Sequence, residues 1–210
     1  MRIGCVTEIM NHEFRVGMSP ADVRQYVNAG HEVYIQAGAG IHSGFTDQEY
    51  EEQGATICDD AAQVWERAEL IVKVKEVLPE EYDYMREGQI IFTYLHLAAN
   101  EEFTKVLLDK KVTSFAYETV VDSTGGLPLL TPMSQIAGRL SVFVGAHCLQ
   151  ATHGGMGILL PGVPGVRPAN VLVLGGGTVG ANAARIARGI GANVTIMDID
   201  LKRLAMRAAL

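Results

Sequence analysis

A glycine-rich segment near the end of the chain has the residue types that bind a dinucleotide. Gly175, Gly177 and Gly180 match the pattern G-x-G-x-x-G and directly follow the short apolar run 171–174. In such a segment the first glycine allows a tight turn, the second lets a pyrophosphate approach the backbone, and the third lets a helix pack closely on a strand. The phosphates then lie at the positive N-terminus of that helix.

An acidic residue completes this pattern. A second apolar run, 194–197, ends at Asp198, which lies 23 positions after Gly175. An acid that hydrogen-bonds a ribose 2′-hydroxyl is expected about 20 residues along. A glycine-rich loop of an ordinary α/β protein does not explain this acid, so the order of the parts predicts nucleotide binding. Because a carboxylate repels a 2′-phosphate, the sequence favours NAD over NADP, although Lys202 and Arg203 act against that preference.

Three residues in the first half of the chain could act on a small organic acid. Arg15 follows the first predicted strand, Lys75 ends the third together with Lys73 on the same face, and His96 follows the fourth among apolar residues. Singly they are explained as a surface arginine, lysines that discourage edge pairing and a core histidine. Together, at one edge of a parallel sheet, they offer a carboxylate clamp, a fixed cation and a group that titrates near pH 6.5. That combination suits a keto or amino acid beside a nicotinamide ring.

These residues need an α/β scaffold to position them. Apolar runs that we predict as strands alternate with amphipathic stretches that we predict as helices, and this alternation predicts a parallel, doubly wound sheet. The predicted strands are 2–6, 32–36, 70–74, 89–94 and 113–117, and the predicted helices are 20–29, 47–53, 61–67, 79–86 and 101–110. A longer helix is predicted from 132 to about 153, and we expect its Gly138 and Gly145 to allow close packing against another element.

The sequence therefore predicts an α/β protein with two Rossmann-like domains, each built on a doubly wound parallel sheet. The first is predicted over 1–128, a linking helix over 129–153, and the second over 154–210. A dinucleotide-binding domain has about six strands, and only two fit before residue 210. We therefore expect the second domain to be incomplete and the chain to be a fragment or a truncated product.

Composition excludes several classes of partner. The chain has a formal charge of −7 and 48% hydrophobic residues, which is typical of a globular protein and argues against nucleic acid or an anionic membrane as a partner. Its three cysteines are scattered without a C-x-x-C pair, which favours reduced thiols in the cytoplasm and predicts neither disulfides nor a metal site. No apolar run approaches the ~18 residues of a membrane span.

Six runs of the sequence carry the pattern of a known family. They are 7–16 (TEIMNHEFRV), 73–76 (KVKE), 94–98 (YLHLA), 117–119 (YET), 132–139 (PMSQIAGR) and 162–165 (GVPG). Together they resemble the alanine dehydrogenases, whose superfamily includes the nucleotide-binding subunit of the proton-translocating transhydrogenases. The resemblance covers the whole chain, with departures from the family pattern at Val6, Met10, Met156 and Pro161.

The resemblance implies a reaction and roles for the three candidate residues. The reaction is the reversible, NAD-dependent oxidative deamination of L-alanine to pyruvate and ammonia. Arg15 would bind the substrate carboxylate, Lys75 would hydrogen-bond the keto oxygen, and His96 would be the general acid/base. Two explanations stay open for Tyr94, Glu118 and Met133. These residues shape the substrate pocket, or they only pack against their neighbours.

The resemblance also implies the cofactor contacts and the assembly. Ser134 would touch the cofactor, Thr178 and Val179 would lie under the phosphates, and Asp198 would hold the adenosine ribose with Arg203 nearby. The family forms homo-oligomers, commonly hexamers. Two alternatives remain open: a transhydrogenase nucleotide-binding subunit, and an inactive fragment that acts only as a binding or assembly module.

Overall fold

The computed structural model describes residues 1–207, with side chains to residue 205, and separates into two units, Met1–Val120 and Val121–Leu210. The predicted boundary at residue 128 thus lies inside the second unit. The helix that we predicted as a linker also belongs to the second unit, because it packs along a helix of that unit.

The first unit is built on a six-stranded parallel sheet. Its strands are β1 (Arg2–Cys5), β2 (Glu32–Gln36), β3 (Thr56–Cys58), β4 (Leu70–Val72), β5 (Ile90–Thr93) and β6 (Thr113–Ala116). They lie in the order β3-β2-β1-β4-β5-β6, and each neighbouring pair is parallel. This order is that of a doubly wound sheet and confirms the predicted fold class. The sequence did not predict β3, because Thr56–Cys58 lacks an apolar run as long as the one at 70–74 that predicted β4.

Four helices cover this sheet: α1 (Pro20–Asn28), α2 (Asp47–Glu52), α3 (Ala61–Arg67) and α4 (Glu101–Asp109). Polar side chains cap their first turns, as Ser19 does for α1 and Thr46 for α2. The segment Pro79–Tyr84 was predicted as an α-helix and is a 3₁₀ helix instead. Its Glu81 side chain is buried, where it accepts hydrogen bonds from Lys73 and from the backbone N–H of Leu78.

The two faces of the sheet carry separate cores. One core contains Trp65 of α3 and Phe103 of α4. The other contains Val23 of α1 and Tyr50 of α2. All four side chains are at most 1% exposed, so burial on both faces holds the strand ends of the first unit in place.

The second unit contains two parallel strands, β7 (Asn170–Leu174) and β8 (Asn193–Met197), with helices α5 (Thr131–Cys148), α6 (Thr178–Gly189) and α7 (Leu201–Arg207). Gly138 of α5 meets α6 so closely that a Cβ atom there would overlap the carbonyl oxygen of Val179. The predicted close packing is therefore confirmed at Gly138. It is wrong at Gly145, where a Cβ atom would meet nothing.

Helix α5 also ends earlier than predicted. The backbone of Gln150 is extended, and a 3₁₀ turn, Ala151–His153, replaces the last predicted helical turn. Over the residues that the structure describes, no helix combines the length and the apolar character that crossing a membrane requires.

A buried charge cluster lies beyond the end of β4. The Lys73 side chain is 0% exposed, and its Nζ lies 2.7 Å from Glu81 Oε1 and 3.6 Å from Glu8 Oε2. Burial raises the pKa of the Glu8 carboxyl, although the nearby Lys73 ammonium acts in the opposite direction. The prediction that Lys73 and Lys75 end a strand together on one face is wrong. Strand β4 stops at Val72, the Lys73 side chain is enclosed, and Lys75 is partly exposed.

We predict that the Lys73→Met substitution lowers the free energy of unfolding by about 3 kcal/mol, because it leaves two buried carboxylates without their cation. Lys105→Met is the matched control, since the exposed Lys105 pairs with the exposed Glu101. It should cost less than about 1 kcal/mol. Urea denaturation of both variants measures the difference, and equal losses would contradict the role given to the cluster.

Candidate functional site

The three candidate substrate residues follow three neighbouring strands. Arg15 lies in the loop after β1, Lys75 follows β4, and His96 follows β5. In the sheet β1 pairs with β4, and β4 pairs with β5. The structure therefore brings all three to one carboxyl edge, at the point where the strand order reverses, which is where ligands bind in open α/β sheets.

Hydrogen bonds beyond the strand ends hold two of these segments side by side. The Tyr94 backbone N–H donates to the Val74 carbonyl oxygen at 3.3 Å, and the Thr93 hydroxyl donates to the Lys75 carbonyl oxygen at 2.8 Å. From the β1 loop, Glu8 Oε1 accepts the backbone N–H of Val74 at 2.6 Å. The segments that carry Lys75 and His96 are thus fixed to each other and to the loop that leads to Arg15.

The Arg15 guanidinium already holds a carboxylate. Its Nε lies 2.8 Å from Glu13 Oε1 and its Nη2 lies 2.6 Å from Glu13 Oε2, which is the two-point geometry that arginine offers to carboxylates. The Arg15 hydrogen bond lowers the pKa of Glu13, and the charge of Lys75 adds to this effect. About half of the Arg15 side chain is exposed, so the guanidinium is accessible to an organic anion.

His96 is held at its backbone and at its ring. Its φ angle of 51° is in the left-handed region, and its backbone N–H donates to Glu118 Oε1 at 2.7 Å. The ring Nδ1 lies 3.0 Å from Glu76 Oε2. The side chain is 48% exposed, whereas the apolar residues around it in the sequence predicted an apolar setting. The ring is exposed because the backbone of His96 is left-handed and directs the ring away from the core. The neighbouring residue Leu95 packs into that core.

Glu118 and Tyr94 complete the surroundings of His96. Burial would raise the pKa of Glu118, but hydrogen bonds from backbone N–H groups, including those of His96 and Leu95, outweigh it and lower the pKa. The Tyr94 ring stacks on the His96 ring, with 6.3 Å between the ring centroids and 27° between the planes. Both residues therefore contact His96 directly.

The sequence analysis missed Glu13 and Glu76 as functional candidates. Both lie inside the runs that carry the family resemblance, each close in sequence to a candidate cation. A carboxylate beside a cation in sequence usually forms a surface ion pair. Only the fold shows that Glu76 turns to His96, 20 residues further along the chain.

The second unit contains a cavity of about 1130 Å³ at the glycine-rich segment. Its walls include the predicted cofactor residues Ser134, Gly175, Gly177, Thr178, Val179, Gly180, Asp198 and Arg203. Gly175 has a φ angle of +99°, which side chains rarely adopt, and a Cβ atom at Gly180 would overlap the Gly175 carbonyl oxygen. The glycines therefore form the tight turn that places the N-terminus of α6 against the cavity.

Polar groups in this cavity match the parts of a dinucleotide. Helix α6 begins after Gly177 without a side-chain cap, so its first N–H groups are available to phosphate oxygens. Asp198 follows β8, and its carboxylate accepts the backbone N–H groups of Asp200 at 2.8 Å and Gly176 at 2.5 Å. These two hydrogen bonds lower the pKa of Asp198. Arg203 lines the same cavity, and its Nε lies 3.4 Å from Asp200 Oδ2.

We predict that Gly180→Ala destabilises the protein by about 1–3 kcal/mol, because the added methyl group overlaps the glycine turn. Gly189→Ala, at the other end of α6, is the control, since a Cβ atom there meets nothing. It should leave stability unchanged or raise it by up to about 1 kcal/mol. Thermal denaturation compares the stability of the two variants. A Gly180→Ala variant as stable as the unmodified chain would contradict the close contact between Gly180 and the Gly175 carbonyl oxygen.

Two of the three cysteines are enclosed in the first unit, whereas Cys148 is exposed and lines the cavity of the second unit. Cys5 and Cys58 are buried, and burial raises the pKa of Cys5 to about 12, which leaves it an unreactive thiol. Among residues 1–205, no group of three or more histidine, cysteine or acidic side chains is arranged to hold a metal ion.

Two family models match the chain, one after the other. Residues 4–137 match the family model "Alanine dehydrogenase/PNT, N-terminal domain", and residues 141–209 match "Alanine dehydrogenase/PNT, C-terminal domain". The chain belongs to the alanine dehydrogenase/PNT family. An alanine dehydrogenase of Methanococcus maripaludis is 56% identical to this family member over 205 residues, which are 98% of the chain and 55% of that protein.

Two solved structures resemble the chain to different degrees. An L-alanine dehydrogenase has a TM-score of 0.89 and 54% identity, covering 98% of this chain and 57% of that one. A transhydrogenase from Sinorhizobium meliloti has a TM-score of 0.81 and 26% identity, covering 99% of this chain and 60% of that one. The chain spans about half the length of the curated relatives that it matches.

Proposed function

We propose that this chain carries the substrate-binding and dinucleotide-binding residues of an NAD-dependent alanine dehydrogenase. The reaction is the reversible conversion of L-alanine, NAD⁺ and water to pyruvate, ammonium, NADH and a proton. The observation that carries the proposal is the placement of Arg15, Lys75 and His96 at the ends of three neighbouring strands. The identity of 54–56% to proteins named alanine dehydrogenase supports the choice of substrate.

Arg15 binds the substrate carboxylate in this proposal. Its guanidinium already forms a two-point pair with Glu13, so its fork is oriented for a planar anion before substrate arrives. Lysine is a poor replacement because an ammonium offers no such fork. Lys75, which lies close enough to Glu13 to affect its pKa, donates to the keto oxygen of pyruvate or to the hydroxyl of the carbinolamine.

His96 moves the protons. In deamination the α-carbon loses a hydride, water adds to the resulting iminium, and the carbinolamine expels ammonia. His96 accepts a proton from the attacking water and returns it to the departing nitrogen, and each step is reversed in amination. The half-exposed ring of His96 and the partly exposed Lys75 both reach solvent from the sheet edge.

The cavity of the second unit holds the dinucleotide, which supplies the hydride acceptor. The first turn of α6, with Thr178 and Val179, faces the pyrophosphate, and Asp198 accepts a hydrogen bond from a ribose hydroxyl. Ser134 contacts the cofactor from α5, and Arg203 lies beside the adenosine ribose. Asp198 keeps lone pairs for this contact, since a carboxylate offers about four acceptor positions.

The test is alanine-dependent reduction of NAD⁺ by this chain, alone and extended by the corresponding remainder of a relative. We expect turnover in the extended protein and far slower turnover in residues 1–210 alone. His96→Gln should lower kcat by about 10²–10⁴-fold, because it removes the acid/base group. Equilibrium binding of NADH should be unchanged in the same variant, since the cofactor residues lie on other elements.

Two results would contradict the proposal. If the extended protein binds NADH but does not oxidise alanine, alanine is not its substrate. A His96→Gln variant that loses turnover and NADH binding together would show that His96 supports the fold instead of the chemistry.

Charge at the ribose site gives a second prediction. Asp198→Asn removes the negative charge and keeps one carbonyl oxygen for the Gly176 N–H. We expect NADP to bind the variant about tenfold more tightly than it binds the unmodified chain, because the repulsion of the 2′-phosphate is gone, and NAD to bind more weakly. Calorimetric titration with both nucleotides measures the change, and an unchanged NADP affinity would contradict the NAD preference.

A transhydrogenase nucleotide-binding subunit is the second candidate, favoured by the TM-score of 0.81 to the Sinorhizobium meliloti protein. Hydride exchange between two nucleotides does not need an arginine fork or an acid/base histidine. Arg15→Lys therefore separates the candidates: it should raise the KM for alanine strongly in a dehydrogenase and leave nucleotide hydride exchange unchanged. A chain that binds NAD without any turnover, even when extended, would instead be a binding or assembly module.

We also propose a cytoplasmic homo-oligomer. The three described cysteines form no disulfide, which suits a reducing compartment. Helix α5 exposes an apolar stripe of Ile136, Leu140, Phe143 and Val144, each between 53% and 63% exposed. A contiguous apolar surface of this kind is typical of a protein–protein contact.

A further inference from the structure

Two carboxylates from different segments converge on His96. Glu118 follows β6, and its side chain accepts the His96 backbone N–H. Glu76 follows β4, and its Oε2 lies 3.0 Å from the ring Nδ1. His96 is one of three residues other than glycine with a positive φ angle in the described chain. A backbone in this region persists only where its surroundings hold it, and such positions cluster at functional sites.

The two carboxylates act on different parts of His96. Glu118 compensates the strained backbone, because its two oxygens accept the N–H groups of Leu95 and His96 at 2.7–3.2 Å. Glu76 acts on the ring alone. Its side chain is 16% exposed, against 48% for His96, so the carboxylate is the more firmly enclosed member of the pair.

The hydrogen bond to Glu76 determines which ring nitrogen carries the hydrogen. An ionised carboxylate can only accept hydrogen bonds, so the Nδ1 of His96 must be the donor. In the neutral ring the second nitrogen, Nε2, is then without hydrogen and can accept a proton. When Nε2 takes a proton, the positive ring remains paired with Glu76. A carboxylate that orients an acid/base histidine in this way is a recurring arrangement in enzymes.

We propose that Glu76 is a positioning residue that fixes His96 as the Nδ1–H tautomer and thereby presents Nε2 to the substrate. The proton passes between Nε2 and the water or the amine of the substrate, while the other hydrogen stays on Nδ1 and is donated to Glu76 throughout. This inference deepens the proposed function, since it concerns the acid/base group of that reaction. Its first test does not depend on turnover.

The first test is ¹⁵N NMR of the histidine rings in residues 1–210, at a pH where the rings are neutral. The ¹⁵N chemical shift of each ring nitrogen depends on whether that nitrogen carries the hydrogen. The signals that disappear in the His96→Gln spectrum are those of His96. We expect the Nδ1–H form in the unmodified chain and in Glu76→Gln, whose amide oxygen can still accept. In Glu76→Leu the acceptor is gone, and we expect the Nε2–H form to become dominant.

The control is Glu80→Leu. Glu80 is exposed and lies four positions from Glu76 on the same connection, so the substitution removes a carboxylate from the same segment without removing the acceptor. We expect the tautomer of His96 to be unchanged in this variant. An unmodified chain in the Nε2–H form, or a Glu76→Leu variant that keeps the Nδ1–H form, would overturn the proposal.

The second test is the pattern of kinetic constants in the extended protein. Glu76→Leu should lower kcat and kcat/KM together by at least about tenfold with KM for alanine unchanged, since the orientation of His96 matters only in the transition state. Glu76→Gln should recover most of the loss, and Glu80→Leu should show none. A rise in KM with an unchanged kcat would overturn the positioning role. An inactive unmodified protein with the expected tautomer pattern would reject the proposed reaction and leave the Glu76 hydrogen bond standing.

Discussion

The reversal of strand order between β1 and β4 is the constraint on which the candidate substrate site depends. At this point the chain leaves β1 in one direction and β4 in the other, so the connections after the two strands diverge and leave an opening above the sheet. Arg15 lies on one connection and Lys75 on the other, with His96 after the next strand. Three residues that are 60 and 21 positions apart in the chain therefore share one edge without any specific contact having to bring them together.

Carboxylates hold almost every part of this edge. Glu8 accepts the backbone of Val74 and pairs with the buried Lys73, and Glu13 pairs with Arg15. Glu76 and Glu118 hold the ring and the backbone of His96. Arg15 and His96 are each held by a carboxylate that takes no part in the reaction as we propose it. Preorganisation of this kind reduces the rearrangement that the reaction itself requires.

The fold could be predicted from the sequence wherever local pattern and burial agree. The strands β1, β2, β4 and β5 and the glycine-rich unit of β7 and α6 show this agreement, and β6, which has no buried residue, was predicted from its local pattern. The short β3 and the 3₁₀ segment Pro79–Tyr84 could not be predicted, because their conformation depends on neighbours that are distant in sequence. The site divides in the same way: Arg15, Lys75 and His96 carry recognisable chemistry, whereas the part played by Glu76 depends on a partner 20 residues away.

The ion pair between Arg15 and Glu13 has a consequence for the choice of ligand. In the reaction that we propose, a substrate anion would compete with a carboxylate that already accepts two hydrogen bonds from Arg15, at 2.6 and 2.8 Å. Simple anions that offer nothing more than a carboxylate make an even exchange and gain little. A molecule that also engages Lys75 and His96 gains contacts that Glu13 does not provide. In that reaction the pair would therefore favour organic acids that carry a second functional group on the adjacent carbon over acids that carry only a carboxylate.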